Sequence, residues 1–198
     1  MNEISAFVLA GGKSLRMGKD KALLKIGSET LLARTLAVAM QLTNKVFVVG
    51  EKARLPEFGN VIEDGYRGCG PLAGIHAALS HSSTDRNLLL AVDMPFVTQE
   101  LLGFLISTSN QSDAVVVVPR AGSRLQPLCA MYRKAFAEVA EQALKEGRHR
   151  IDPLFGRVPT RIIEEKELSA AGFFPNLFEN VNTPADWERA QSRASQDV

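Results

Sequence analysis

The chain has 198 residues, of which 45% are apolar and 23% charged, and its formal net charge is +1. That length suits a single domain, residues 1–198, with a sheet covered on both faces, and so balanced a charge excludes the broad basic surface of a non-specific nucleic-acid binder. Two cysteines, Cys69 and Cys129, are too few for a disulfide framework or zinc knuckle, and no apolar run approaches the ~20 residues of a membrane span, so reduced thiols and a cytoplasmic setting are expected.

Residues 4–10 form an apolar run that reads as a buried strand. It follows Glu3 and is too short for a signal peptide. The chain then enters a loop holding Gly11, Gly12 and Gly18 beside Lys13, Arg16, Lys19 and Lys21. A helix is predicted over 30–42, a strand over 45–49 and a short strand over 61–63. Next come a helix over 71–81, a strand over 88–92, a helix over 99–107 and a strand over 114–119. The pattern then loosens. Residues 128–132 and 161–163 are candidate further strands, antiparallel additions to the sheet, and 133–146 reads as a helix. In the last helix, 184–194, Thr183 can cap, Pro184 takes the first helical position and Asp186 falls in the first turn. The strands are near-continuously apolar rather than alternating, and they alternate with helices. The expected fold is therefore α/β, a three-layer, mostly parallel sheet with helices on both faces.

The loop at 9–21 carries the strongest functional signal. Glycine lets backbone N–H groups approach a ligand closely, and lysine and arginine supply charge. At the carboxyl end of a first strand this suits a nucleotide triphosphate. It is not a Walker A loop, because the leading glycine of that pattern would fall on Phe7. A glycine-rich turn with solvated lysines is the bland alternative. Asp93 ends the strand over 88–92 at the same edge, where one carboxylate plus phosphate oxygens is enough for magnesium; its bland role is a helix cap. Gly68-x-Gly70-x-x-Ala73, with Asp93 twenty residues on, mimics a dinucleotide fingerprint. But residues 64–67 separate it from its strand, so a loop closing on a helix that starts at Pro71 is the better reading. Asp64 suits either a guanine edge or ribose hydroxyl, or a plain surface turn. The cations of 145–150 suit the end of a helix with Gly147 at C′, and an anionic second substrate is the alternative.

Together the motifs resemble the molybdenum cofactor guanylyltransferases, the MobA proteins, within the wider nucleotidyltransferases. They are Leu9-Ala-Gly-Gly12, Arg16-Met-Gly18, Asp20-Lys21, Gly70-Pro-Leu-Ala-Gly74, Asp93-Met-Pro95, Gln126-Pro-Leu128 and Asn180-Val-Asn-Thr-Pro184, and they span nearly the whole chain. The resemblance implies a Rossmann-like nucleotidyltransferase fold that uses GTP and Mg2+. The activity it implies is transfer of GMP to the phosphate of molybdenum-bearing molybdopterin, releasing pyrophosphate. CMP transfer to the same pterin, or nucleotidyl transfer to a sugar phosphate, is the alternative. Carried over residue by residue, Leu9, Ala10, Gly11, Gly12, Lys21 and Asp64 bind nucleotide, Asp93 holds the metal, and Asn182 is a second polar group near it. Arg16, Lys21 and Asp93 are the expected catalytic residues. Gln126, Arg148, Arg150 and Asn180 are candidate pterin contacts. Gly50 stands where family members often have asparagine, so one side-chain contact to the nucleotide is missing. Transient contacts with other cofactor-biosynthesis proteins or molybdoenzymes are expected, with no nucleic-acid or membrane partner.

Overall fold

Residues 3–11, 20–55, 58 and 61–194 are described in a computed structural model. The first strand, β1 (Ile4–Leu9), is followed by a hairpin of β2 (Lys25–Ile26) and β3 (Glu29–Thr30), then helix α1 (Leu31–Met40) and strand β4 (Val46–Val49). Next come β5 (Val61–Ile62), α2 (Pro71–His81), β6 (Arg86–Ala91), α3 (Gln99–Asn110), β7 (Val116–Ala121) and β8 (Arg124–Leu125). The chain closes with β9 (Cys129–Arg133), α4 (Phe136–Lys145), β10 (Thr160–Ile163), α5 (Glu165–Ala170) and α6 (Pro184–Ala194).

The main sheet has the order β10-β7-β9-β6-β1-β4-β5, with β8 paired to β7. Only β8 and β9 run antiparallel to the rest. β1 and β6 lie at its centre and are buried along their whole length. Strand geometry sends alternate side chains to opposite faces, which builds two cores. Ala6 and Val8 of β1 join Leu32 and Leu36 of α1 and Leu101 and Leu105 of α3 on one face. Phe7 and Leu9 join Leu72 and Leu79 of α2 and Phe136 of α4 on the other. The predicted three-layer arrangement is therefore present.

Several boundaries differ from the sequence reading, each for a physical reason. The strand predicted over 88–92 begins at Arg86, because Asn87 is fully buried and its amide donates to the Asp85 and Tyr132 carbonyls. A buried polar group that is satisfied this way leaves no apolar signal. The strand predicted over 114–119 runs instead over Val116–Ala121. Pro119 is tolerated because β9 pairs only with Val116 and Val117. The helix predicted from 133 starts at Phe136, since Arg133 completes β9 opposite Arg86. At its far end Gly147 has φ +69°, and the Gly147 and Arg148 amides donate to the Leu144 and Ala143 carbonyls, the expected C′ arrangement. Thr30, predicted inside α1, caps it through the Ala33 amide. The β2–β3 hairpin and α5 were not predicted; two-residue strands and a six-residue helix are too short for periodicity to register.

Candidate active site

Strand order reverses between β1 and β6. The chain leaves β1 toward β4 and β5, then crosses back to β6 on the other side of β1. In open α/β sheets ligands bind at such a point, outside the carboxyl ends of the strands. Here the two ends are tied together, for the Val92 amide donates to the Leu9 carbonyl at 3.1 Å. Ala10 continues β1 alongside β4 by donating to the Val49 carbonyl at 2.9 Å, and Gly11 beyond it is exposed. Leu9, Ala10 and Gly11 thus lie at the edge where Asp93 leaves β6.

Lys21 reaches this edge from a 3-10 turn, Lys21–Leu23, whose Ala22 is buried in the core. Asp20 caps the turn by accepting the Ala22 amide at 3.1 Å. The Lys21 Nζ lies 3.3 Å from Asp93 Oδ2 and 2.6 Å from Asn182 Oδ1. Three segments more than 70 positions apart in the chain therefore meet around one ammonium. Asp93 is fixed from behind, since the Val181 amide donates to its carbonyl at 2.8 Å. Asn182 is fixed by the start of α6. Asp186 accepts the Asn182 and Thr183 amides at 3.0 and 2.8 Å, and Thr183 Oγ1 accepts the Asp186 amide at 3.2 Å, a reciprocal capping box. The Thr183 hydroxyl, then the Asn182 amide, hold the Asp186 carboxyl below the usual carboxylate range.

Asp93 and Asn182 present a carboxylate and an amide oxygen that already share a cation, the donor chemistry of a hard divalent ion. Among the described residues no cluster of three or more His, Cys, Asp or Glu could hold a metal. The donor set therefore fits an ion completed by phosphate oxygens, not a cage made by protein alone.

Asp64 follows β5 on the other side of β1. Its Oδ1 is buried with no hydrogen-bond partner among the described residues. Burial raises its carboxyl above the ordinary aspartate value, against the opposing pull of the Tyr66 backbone and the Arg67 charge. A buried acceptor without a donor is costly unless a ligand provides one. Tyr66, two residues on, packs edge-on to His76 of α2 at 5.4 Å and steadies the loop before Pro71.

Of the candidate second-substrate residues, Gln126 and Asn180 adjoin segments bonded to the end of β6 and to Asp93. Gln126–Leu128 lies beside the end of β6, where the Ala91 amide donates to the Leu128 carbonyl at 2.7 Å. The Gln126 amide donates to Pro119 at 2.9 Å, and the buried Tyr132 hydroxyl donates to Pro127 at 2.8 Å. Asn180 adjoins Val181, the partner of Asp93. Because β9 descends antiparallel to β6, α4 runs back toward this end of the sheet, and Arg148 and Arg150 follow it in the chain. Arg148 pairs there with Glu146, and Lys145 with Glu141 at 2.9 Å. Gly12 and Arg16 lie outside the described residues. The sequence reading passed over Arg54, which pairs with Asp20 at 2.5 Å; no motif flags it, because only the fold brings it there.

A family model, the MobA-like NTP transferase domain, matches residues 6–158. A probable molybdenum cofactor guanylyltransferase from Pelotomaculum thermopropionicum is 36% identical over 196 residues, covering 98% of this chain and 95% of its own. The crystal structure of molybdopterin-guanine dinucleotide biosynthesis protein A from Archaeoglobus fulgidus superposes with a TM-score of 0.85 at 27% identity, covering 97% of this chain and 99% of that one. A cytidylyltransferase from Thermus thermophilus, 2-C-methyl-D-erythritol 4-phosphate cytidylyltransferase, shares the fold at a TM-score of 0.73 and 21% identity, covering 98% of this chain and 99% of that one. With its Rossmann-like sheet, its lysine and aspartate meeting at the switch point and a family match over most of its length, the chain belongs to the MobA-like NTP transferases.

Proposed function

We propose that this enzyme transfers GMP from GTP to the phosphate of molybdenum-bearing molybdopterin, forming the guanine dinucleotide cofactor and pyrophosphate. One observation carries the chemistry: a lysine ammonium shared between Asp93 and Asn182 at the carboxyl edge of β1 and β6. The whole chain, residues 1–198, is taken as one nucleotidyltransferase domain. Relatives named molybdenum cofactor guanylyltransferase support GMP as the transferred group, so CMP transfer and sugar-phosphate acceptors are not favoured. A cytoplasmic setting suits the two free cysteines; burial pushes the Cys129 thiol up to about 12, which keeps it neutral. No helix among the described residues is long and apolar enough to cross a membrane.

Such a transfer needs no nucleophile from the protein. The attacking phosphate monoester, with a second pKa of about 6, is largely a dianion at neutral pH. The barrier is repulsion between two anions brought in line, so the enzyme's task is to place positive charge and oriented amides. Lys21 would turn from Asp93 to the triphosphate, and the Gly11 amide, exposed at the end of β1, would face it. Gly12 and Arg16 complete this set from the motif alone. Asp64 would accept from the guanine edge or a ribose hydroxyl through its orphan oxygen. Asp93, with Asn182 beside it, would hold a divalent ion, Mg2+ in this reading, which when bound polarises the α-phosphate as a Lewis acid. Gln126, Asn180, Arg148 and Arg150 would meet the pterin. Other cofactor-biosynthesis proteins or molybdoenzymes are the expected transient partners.

The test is pyrophosphate release by the purified protein supplied with Mg2+, molybdenum-bearing molybdopterin and either GTP or CTP. Release with GTP and little with CTP is expected. Equal rates with CTP, or no release with either nucleotide, would overturn the proposal.

A further inference from the structure

We infer that Arg54 is a positioning residue for this reaction, acting through Asp20 to hold Lys21 at the site. The inference rests on the reading of Lys21 given above. Arg54 ends a 3-10 turn, Lys52–Arg54, that follows β4. Its guanidinium lies 2.5 Å from Asp20 Oδ2, and both side chains are largely shielded, with 25% and 15% exposed. The two oxygens of Asp20 divide the work. Oδ1 accepts the Ala22 amide and shapes the turn that carries Lys21, while Oδ2 is tied to Arg54. Backbone bonds from Leu23 to Asp20 and from Leu24 to Lys21 complete that turn at 3.1 Å each. Asp20 is the only acid within ion-pair distance of Arg54 among the described residues.

The segment that carries Arg54 also starts beside the other end of the glycine loop. Gly50 lies beside the end of β1: a Cβ there would be in ordinary contact with the Ala10 carbonyl carbon at 3.6 Å and the Gly11 nitrogen at 3.7 Å. The turn is itself braced, since Glu63 accepts the Lys52 amide at 3.1 Å and adjoins Asp64. Residues 50–55 therefore flank both described ends of the loop, beside Ala10–Gly11 and paired with Asp20. With Arg54 removed, Asp20 keeps its cap but loses its anchor, and the base of Lys21 is free to shift. An ångström of misplacement at such a site can cost about a hundredfold in rate.

A double-mutant cycle distinguishes positioning from simple stabilisation or direct phosphate binding. Arg54→Ala, Lys21→Ala and the double variant would be compared for kcat and KM for GTP, with melting temperatures to confirm folding. Arg54→Ala is expected to lower kcat/KM by about ten- to a hundredfold, and to add less than about twofold to the loss caused by Lys21→Ala. Arg54→Lys should recover part of the activity, since it keeps the charge but not the planar fork. Losses that multiply would show Arg54 acting independently of Lys21, and a fully active Arg54→Ala would show no role; either overturns the inference and leaves the assignment of Lys21 intact. A fully active Lys21→Ala would instead remove the underlying reading, and the inference with it. If Arg54→Ala does not fold, Asp20→Asn keeps the capping oxygen, breaks the ion pair and carries the same expectations.

Discussion

Lys21 divides its ammonium between a carboxylate and an amide oxygen, and a more anionic triphosphate would compete for it. Replacing Lys21 or Asp93 by alanine should remove about 3–4 kcal/mol of transition-state stabilisation, roughly a hundred- to a thousandfold in turnover, with circular dichroism unchanged. Asp64 is the opposite case, an ionised group whose surroundings disfavour its charge. Its carboxyl titrates at a higher pH in the folded chain than in the unfolded one. Between those two values the folded state binds more protons, and stability falls as pH rises. Asp64→Asn should therefore melt at a higher temperature than the parent at pH 7, an advantage that vanishes below the ordinary aspartate range. The same variant should bind GTP about ten- to a hundredfold more weakly by calorimetry, the worth of a charged hydrogen bond of about 1.5–3 kcal/mol. A variant that gains stability and keeps its affinity would leave Asp64 without a ligand.

At the level of elements, α6 shows how a helix with little apolar burial is kept in place. Only Ala190 is buried, and Trp187 donates from Nε1 to the Lys25 carbonyl at 2.9 Å. The capping box at Thr183 and Asp186 therefore carries much of the helix start, and it also seats Asn182. Asp186→Ala should cost about 1 kcal/mol, roughly 2–4 °C in melting temperature for a chain of this size. Because the Thr183 hydroxyl and the Asn182 amide lower its pKa, this stabilisation is present above the unfolded aspartate value and lost as pH falls through the folded one. The difference in melting temperature between parent and variant should close in strongly acidic buffer. A constant difference across pH would show the carboxylate form to be irrelevant.

Over the whole molecule, two cores share one sheet, and β1, like β4, β6, β7 and β9, sends side chains into both. Phe7, fully buried and stacked on Phe47 at 5.2 Å, faces the α2 and α4 layer. Phe7→Ala should destabilise the protein by about 3–5 kcal/mol, most of the margin of an ordinary domain. Denaturant titration would measure it as a fall in midpoint with unchanged slope, and a loss under 1 kcal/mol would mean that this layer repacks freely. The sheet also explains why the site lies where it does. Strand order reverses between β1 and β6, and ligands of open α/β sheets bind at the carboxyl edge of such a reversal.

The amino-acid sequence by itself determined the layer architecture, because strands buried on both faces must be continuously apolar and the helices between them must show one apolar side. Residues 4–10 and 71–81 are legible on that ground alone. It also marked Lys21 and Asp93, since a cation-rich glycine loop and a carboxylate closing an apolar strand are costly unless used. The tertiary structure alone decided what surrounds them. The ion pair of Arg54 with Asp20 and the junction of Asn182 with Lys21 join positions 34 and 161 residues apart. The return of α4 toward the active edge depends on one antiparallel strand. Local pattern reports which face of an element is buried; it carries no information about which distant element covers it, and a polar site is made of those distant encounters.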